Sequence, residues 1–244
     1  NQTLVSNLHL NEESVADDTT TTNLNISKSE FLGLFAELKG TVKNVTFRDP
    51  ALMIGQKNEN KSTGDCKSLK GIGVLAGRSE GKLTDVAITR TKQNSSTDKA
   101  NIKVDVSNAN VSENKDTLGV GMLVGVLADY ENGEIKALSA GTMSKLSTEG
   151  KMEAILPGAA KQDDAYGIGG IVGYAKLKNE RNAVKVDNCA NHADISGNMS
   201  TGGVVGHLDG SFEYNKGKTY NAATLKQMAN ILDSTSDGLI LCTS

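Results

Sequence analysis

Tryptophan is absent from this chain of 244 residues, proline occurs twice, and aromatic residues make up 4% of it. So few rings argue against a thick layered core, although the length is ample for one domain. The three cysteines, at positions 66, 189 and 242, are odd in number and lack metal or redox spacing, which argues against a disulfide framework. No apolar run approaches the ~20 residues of a membrane span, and Asn1-Gln2-Thr3 is no signal peptide. Any export signal is therefore expected upstream or already removed. A formal net charge of −3 with both signs intermixed gives no basic stripe, so neither nucleic acid nor an anionic membrane is expected as a partner. The histidines are His9, His192 and His207, and no H-E-x-x-H helix occurs, so no zinc protease site and no cofactor are expected here.

Glycine, by contrast, numbers 26 and falls in a frame. Gly33-Leu34-Phe35-Ala36-Glu37, Gly73-Val74-Leu75-Ala76-Gly77, Gly121-Met122-Leu123-Val124-Gly125, Gly169-Gly170-Ile171-Val172-Gly173 and Gly202-Gly203-Val204-Val205-Gly206 repeat one small–apolar–small strand. A second apolar stretch follows each of the first four: Val42-Lys43-Asn44-Val45, Leu83-Thr84-Asp85-Val86, Ile135-Lys136-Ala137-Leu138 and Val186-Asp187-Asn188-Cys189. A third comprises Leu52–Ile54, Ile102–Val106, Met152–Ile155 and Ala193–Ile195. Alternation of period two marks all of them as strands. Three short strands per unit, none able to bury a face alone, are satisfied by coiling the chain so that each pairs in parallel with its equivalent one unit on. The expectation is an all-β fold, a right-handed parallel β-helix of about four to five irregular rungs. Small residues in the glycine strand fit a narrow interior, where inward side chains stack and Gly or Ala lets a wall come close, and Asn44, Asp85 and Asn188 fit one recurring corner, where a short polar side chain tolerates unusual φ. Glu37 departs from the frame where the others have glycine, and Ala137 departs where they have Asn or Asp.

Residues 31–215 are thus expected to be the repeats, with 1–30 a leading strand and N-terminal cap. Residues 216–244 are expected to be a helix plus a strand, either a cap or the start of a further unit. Within them, Asn221 to Asp233 reads as the helix, with Leu225, Met228, Ala229 and Leu232 on one face. Cys189 falls on the inward side of its strand and is expected to be a buried apolar residue rather than a reactive thiol.

The stretch Phe31 to Phe47, and Gly169-Gly170-Ile171-Val172-Gly173 followed by Val186-Asp187-Asn188-Cys189, resemble GLUG-motif repeats. Such repeats occur in large exported bacterial proteins, among them adhesin-like surface proteins and the N-terminal regions of immunoglobulin A-specific zinc metalloendopeptidases. The resemblance implies a secreted or cell-surface location, further domains in the same polypeptide, and a non-catalytic recognition or spacer role with a host protein or glycan as partner. The alternative it implies is an accessory, substrate-holding region of such a protease.

Specificity is expected in the loops 56–70, 90–101, 107–118, 157–166 and 174–183, which vary while the frame persists. Candidate contacts are Asn58, Asn60, Asp65 and Lys67 in the longest loop, with Tyr166 and Tyr174 flanking one repeat. Edge packing is the competing reading of the two tyrosines. Structural positions are Gly33, Gly73, Gly121, Gly169, Gly202, Asn44, Asp85 and Asn188. A third reading, a polysaccharide-cleaving β-helix using Asp85, Asp105, Asp187 or Asp194, competes with the plainer view that these are solvated outward acids.

Overall fold

The computed structural model describes residues 2–6, 8–12, 22–24, 29–55, 68–91, 101–107, 117–138, 140–157, 165–178, 184–211 and 231–242. They form parallel sheets stacked as a β-helix, with no helix among the described residues. Each full turn carries four walls rather than the three strands expected. Wall A holds Thr3–Ser6, Thr41–Arg48, Lys82–Thr89, the pair Thr142–Ser144 and Ser147–Thr148, the pair Val186–Asp187 and Ala190–Asn191, and the pair Ile231–Leu232 and Thr235–Ser236. Wall B holds His9–Glu12, Ala51–Ile54, Ile102–Asp105, Lys151–Ile155, Asp194–Gly197 and Ile240–Cys242, with Thr22–Leu24 paired outside the first of these. Wall C holds Phe31–Leu32, Gly71–Gly73, Thr117–Gly121, Ala165–Gly169 and Thr201–Gly202. Wall D holds Phe35–Leu38, Ala76–Ser79, Val124–Leu127, Val172–Lys178 and Val205–Ser211. Five turns have all four walls and a sixth has A and B, about 24 Å of stacking at ~4.8 Å per turn.

The fourth wall arises because the glycine strand is bent into C and D just after its first glycine. The reason is contact between the two walls. A Cβ built on Gly121 would lie 2.0 Å from the carbonyl oxygen of Val124, and one on Gly169 1.9 Å from that of Val172. Main chain meets main chain there, and no side chain fits between.

Inward columns stack like on like. Leu10, Leu52, Ile102, Met152, Ile195 and Ile240 are in register along wall B. Val42, Leu83, Met143, Val186 and Ile231 are in register along wall A. Burying each such side chain is worth about 1.5–3 kcal/mol, and the shape of a narrow tube favours aliphatic chains over rings. One column changes character: Phe47 and Ile88 give way to Thr148, Asn191 and Ser236. The Thr148 hydroxyl donates to Asn191 Oδ1 at 2.9 Å, and Asn191 Nδ2 donates to the Ala193 carbonyl at 2.9 Å and to Ser236 Oγ at 3.2 Å, so the buried amide is satisfied.

Asn44, Asp85 and Asn188 do share one column and one conformation, with φ of 57°, 53° and 51°. It is a kink within wall A rather than a corner between strands. Two further members complete it, Lys145 (φ 53°) and Asp233 (φ 44°).

Three sequence expectations are corrected. Ile135-Lys136-Ala137-Leu138 is not the second strand of its unit. Its first residues belong to a hairpin, Asp129–Glu131 against Glu134–Lys136, and Thr142–Thr148 takes the place in wall A, with Lys145 rather than Ala137 in the kink. Glu37 does not occupy a glycine slot. The first bend is one residue shorter, so Gly33 stays level with Gly73 while Phe35 pairs with Ala76 and Glu37 with Arg78, leaving Ala36 opposite Gly77. Most of the helix expected over 221–233 lies outside the described residues, but its end is strand, Ile231–Leu232, pairing with Val186–Asp187.

Candidate functional site

The chain passes from wall B to wall C at one corner in every turn. In turns two, three and four the wall B strand ends at Ile54, Asp105 and Ile155 and the wall C strand begins at Gly71, Thr117 and Ala165, whereas in turn five only Asn198 to Ser200 intervene. Because the turns are stacked in register, these departures form a row with steps of ~4.8 Å. Three of the five variable loops expected to carry specificity therefore start from neighbouring points.

Beside that row the outer surface of wall B has a shallow groove lined by Ile54, Gly55, Lys103, Val104, Asp105, Glu153 and Ile155. Lys103 stands level with Glu153, and Asp105 with Ile155, which is 43% exposed. Glu153 forms an ion pair with Lys151 at 3.1 Å, and Asp105 accepts hydrogen bonds from the amide and hydroxyl of Ser107 at 3.2 and 2.6 Å. Ile54 and Val104 turn their side chains inward, so the groove offers the exposed Ile155 beside charges of both signs, which suits a ligand rich in hydroxyl or amide groups.

Asn58, Asn60, Asp65 and Lys67 lie outside the described residues. Tyr166 and Tyr174 are packed away, 4% and 1% exposed, so neither ring presents a face to a ligand. The Tyr174 hydroxyl donates to Asp209 at 3.2 Å, and burial together with that carboxylate pushes the phenol up. The acids Asp85, Asp105, Asp187 and Asp194 do not converge. Asp85 is in the wall A kink, Asp187 precedes Asn188 in the same wall, and Asp194 accepts the Leu239 amide at 2.9 Å. His192 contacts Asp237 at 2.6 Å and His207 packs on Tyr174 with ring centroids 5.4 Å apart. Among the described residues no three His, Cys, Asp or Glu side chains gather as metal ligands. Cys189 is 1% exposed, and burial pushes its thiol up to about 11, so it packs rather than reacts.

The densest polar cluster was not foreseen. Arg78, fully buried in wall D, donates to Glu37 at 2.5 Å, to Glu80 at 3.0 Å and to the Ala128 carbonyl at 3.0 Å, while its Nε meets no acceptor. Tyr130, on the hairpin, closes over it with its ring centroid 5.6 Å from the guanidinium and edge-on to Phe31 at 5.2 Å. Its hydroxyl donates to Glu30 at 2.5 Å, and Lys70 donates to the same carboxylate at 3.0 Å. Burial opposes ionisation of Glu30, but the bonds from Tyr130 and Lys70 outweigh it and hold the carboxyl below its ordinary value. The local signal was Asn132-Gly133, with φ of 52° and 82°, the pair that a two-residue hairpin turn demands.

No protein family model, curated protein or solved structure matches the chain.

Proposed function

We propose that this chain is a non-catalytic recognition module of an exported cell-surface protein, meeting its ligand along the row where wall B passes into wall C. One observation carries the reading: three consecutive turns depart at the same corner with connections of different length and sequence, while the ladder beneath them stays in register. A stiff repeating scaffold with variation gathered along one edge is how solenoids build extended binding surfaces. The GLUG-like glycine frame supports export, and the groove at Lys103, Asp105, Glu153 and Ile155 supports a glycan or an extended polar peptide as the ligand. Affinity would come from contacts spread along the row rather than from one deep pocket.

The test is a binding screen of the whole chain on immobilised glycans and host extracellular proteins, immunoglobulin A included. Beside it runs a variant with the stretch between Gly55 and Ser68 replaced by a short Gly/Ser linker, and another carrying Lys103→Ala with Glu153→Ala. Binding that falls in either variant supports the module. Binding indifferent to both, or none by the wild type, overturns it in favour of a spacer.

A further inference from the structure

We propose that the hairpin Asp129–Lys136 is an acid-released strap: it latches over wall D at neutral pH and lets go, before the β-helix itself unfolds, once the carboxylates around Arg78 are protonated.

The hairpin interrupts wall D of the third turn, and the chain rejoins that wall at Leu138, which bridges to Leu177. Its ladder is its own, Asp129 with Lys136, Tyr130 with Ile135 and Glu131 with Glu134. What ties it down is side chains: Tyr130 on Glu30, Phe31, Lys70 and Arg78, and Ile135 on the patch of Val126, Ala128 and Tyr174. Through Tyr130 it clips the third turn to the first two.

That hold depends on ionised carboxylates. Glu30 accepts from both Tyr130 and Lys70, and Glu37 and Glu80 bracket a guanidinium that has no exposure to water. Lys39 lies 3.5 Å from Glu80, Asp129 accepts the amide of Tyr130, and Glu134 pairs with Lys136 at the hairpin itself. Lys39, Lys70 and Lys136 add positive charge on the Arg78 side of the strap, and on its Tyr174 side Lys176 pairs with Asp209 at 3.3 Å while His207 stacks on the Tyr174 ring; none of these can replace a lost counter-ion of Arg78. Arginine cannot shed its proton at any pH a protein survives. With its carboxylates neutral, Arg78 is a buried, unpaired cation, a costly state in which nothing but access to water brings relief. Its Nε already lacks an acceptor, so the site has none in reserve. Opening the strap admits water; opening the walls would sacrifice aliphatic columns that carry no titrating group. Glu30 sets the window: its carboxyl is held below the ordinary value of 4.5, so the latch is intact above that and is lost as pH falls through the lowered value. Release bares Phe31, Arg78, Val126 and Tyr174 as one aromatic and cationic strip.

Hydrogen exchange of the whole chain, expressed as protection against the intrinsic rate at each pH, tests this. Between about pH 6 and about pH 3, protection over Asp129–Lys136 should fall on the order of tenfold or more while Ile102–Asp105 and Lys151–Ile155 keep theirs. Arg78→Met, which keeps the stem and removes the charge, should leave only the smaller part of the pH dependence that Glu30 carries and keep the hairpin closed at neutral pH. Glu30→Gln should lower hairpin protection already at neutral pH. Hairpin and walls losing protection together, a hairpin protected throughout, or an Arg78→Met variant with the wild-type pH dependence would overturn the proposal.

Discussion

Replacing Gly121 by alanine adds one methyl group at the point where walls C and D touch. The new Cβ would lie 2.0 Å from the carbonyl oxygen of Val124, 2.7 Å from the amide nitrogen of Gly173 and 2.9 Å from the carbonyl oxygen of Ile171. Since real Cβ atoms essentially never come within 3.0 Å, the closest contact must open by 3.0 − 2.0, or 1.0 Å. Every obstacle is main chain, and Val124 is held in register between Ala76 and Val172, so the movement must be shared by three turns. Overpacking costs about 1–3 kcal/mol where side chains can yield; with only ladder backbone to move, the upper figure of about 3 kcal/mol is expected. For a chain of this size that is a drop in Tm of roughly 6–12 °C. Gly40→Ala is the control, because nothing lies within 4 Å of its Cβ position, and its effect should stay within ~0.5 kcal/mol. The chain has no tryptophan, so urea and thermal unfolding are best followed by far-ultraviolet circular dichroism. If the two variants unfold together, walls C and D are not in contact and the glycine frame has another cause.

Lys145 sits at φ 53° in the wall A kink where the other members are Asn or Asp, so Lys145→Asn should stabilise by about 0.5–1 kcal/mol, read from the urea midpoint. A loss of stability would mean that the lysine stem matters more than its backbone. Cys189 should resist alkylation in the native chain and react once unfolded, as scored by mapping the modified peptides, whereas exposed Cys242 should react in both states. Because burial raises the Cys189 thiol from 9.0 to about 11, its contribution to stability is complete below 9.0 and disappears as pH rises toward 11. Native labelling of Cys189 at neutral pH would contradict its placement inside wall A.

The walls were legible because their physics is local and repeated. Ile102, Met152 and Ile195 alternate with polar neighbours at equivalent places, and Asn44, Asp85 and Asn188 announce a left-handed residue by type. Lys145 was hidden for the same reason, since nothing about lysine signals positive φ, and Ile135 to Leu138 imitates the strand that Lys145 interrupts. The bend between C and D was also missed. A continuous apolar run does not reveal that Gly73 and Gly121 face a second wall instead of a tube interior. Nothing in the sequence marks Arg78, because the Tyr130 ring that lies over its guanidinium comes from 52 positions away in the chain. Of the candidate site, the sequence located the variable connections but not their shared corner, which exists only once the turns are stacked.

The shortened first bend links the frame to the cluster. The slot filled by Gly77, Gly125, Gly173 and Gly206 faces wall C of the preceding turn: their Cβ positions come within 2.2–2.4 Å of the amides of Leu32, Ile72, Val120 and Ile168. Turn one has no preceding wall C among the described residues, so Ala36 carries its methyl group in that slot and is exposed. Freed from the spacing the other turns must keep, the first bend omits one residue, and Glu37 slides from the glycine slot to stand level with Arg78. With the common spacing, residue 38, a leucine, would face the guanidinium instead, and Arg78 would keep Glu80 as its only carboxylate partner among those it now has. The departure at Glu37 is thus the step that makes a fully buried arginine tolerable, and through it the anchoring of Tyr130 and the hairpin that reaches back across three turns.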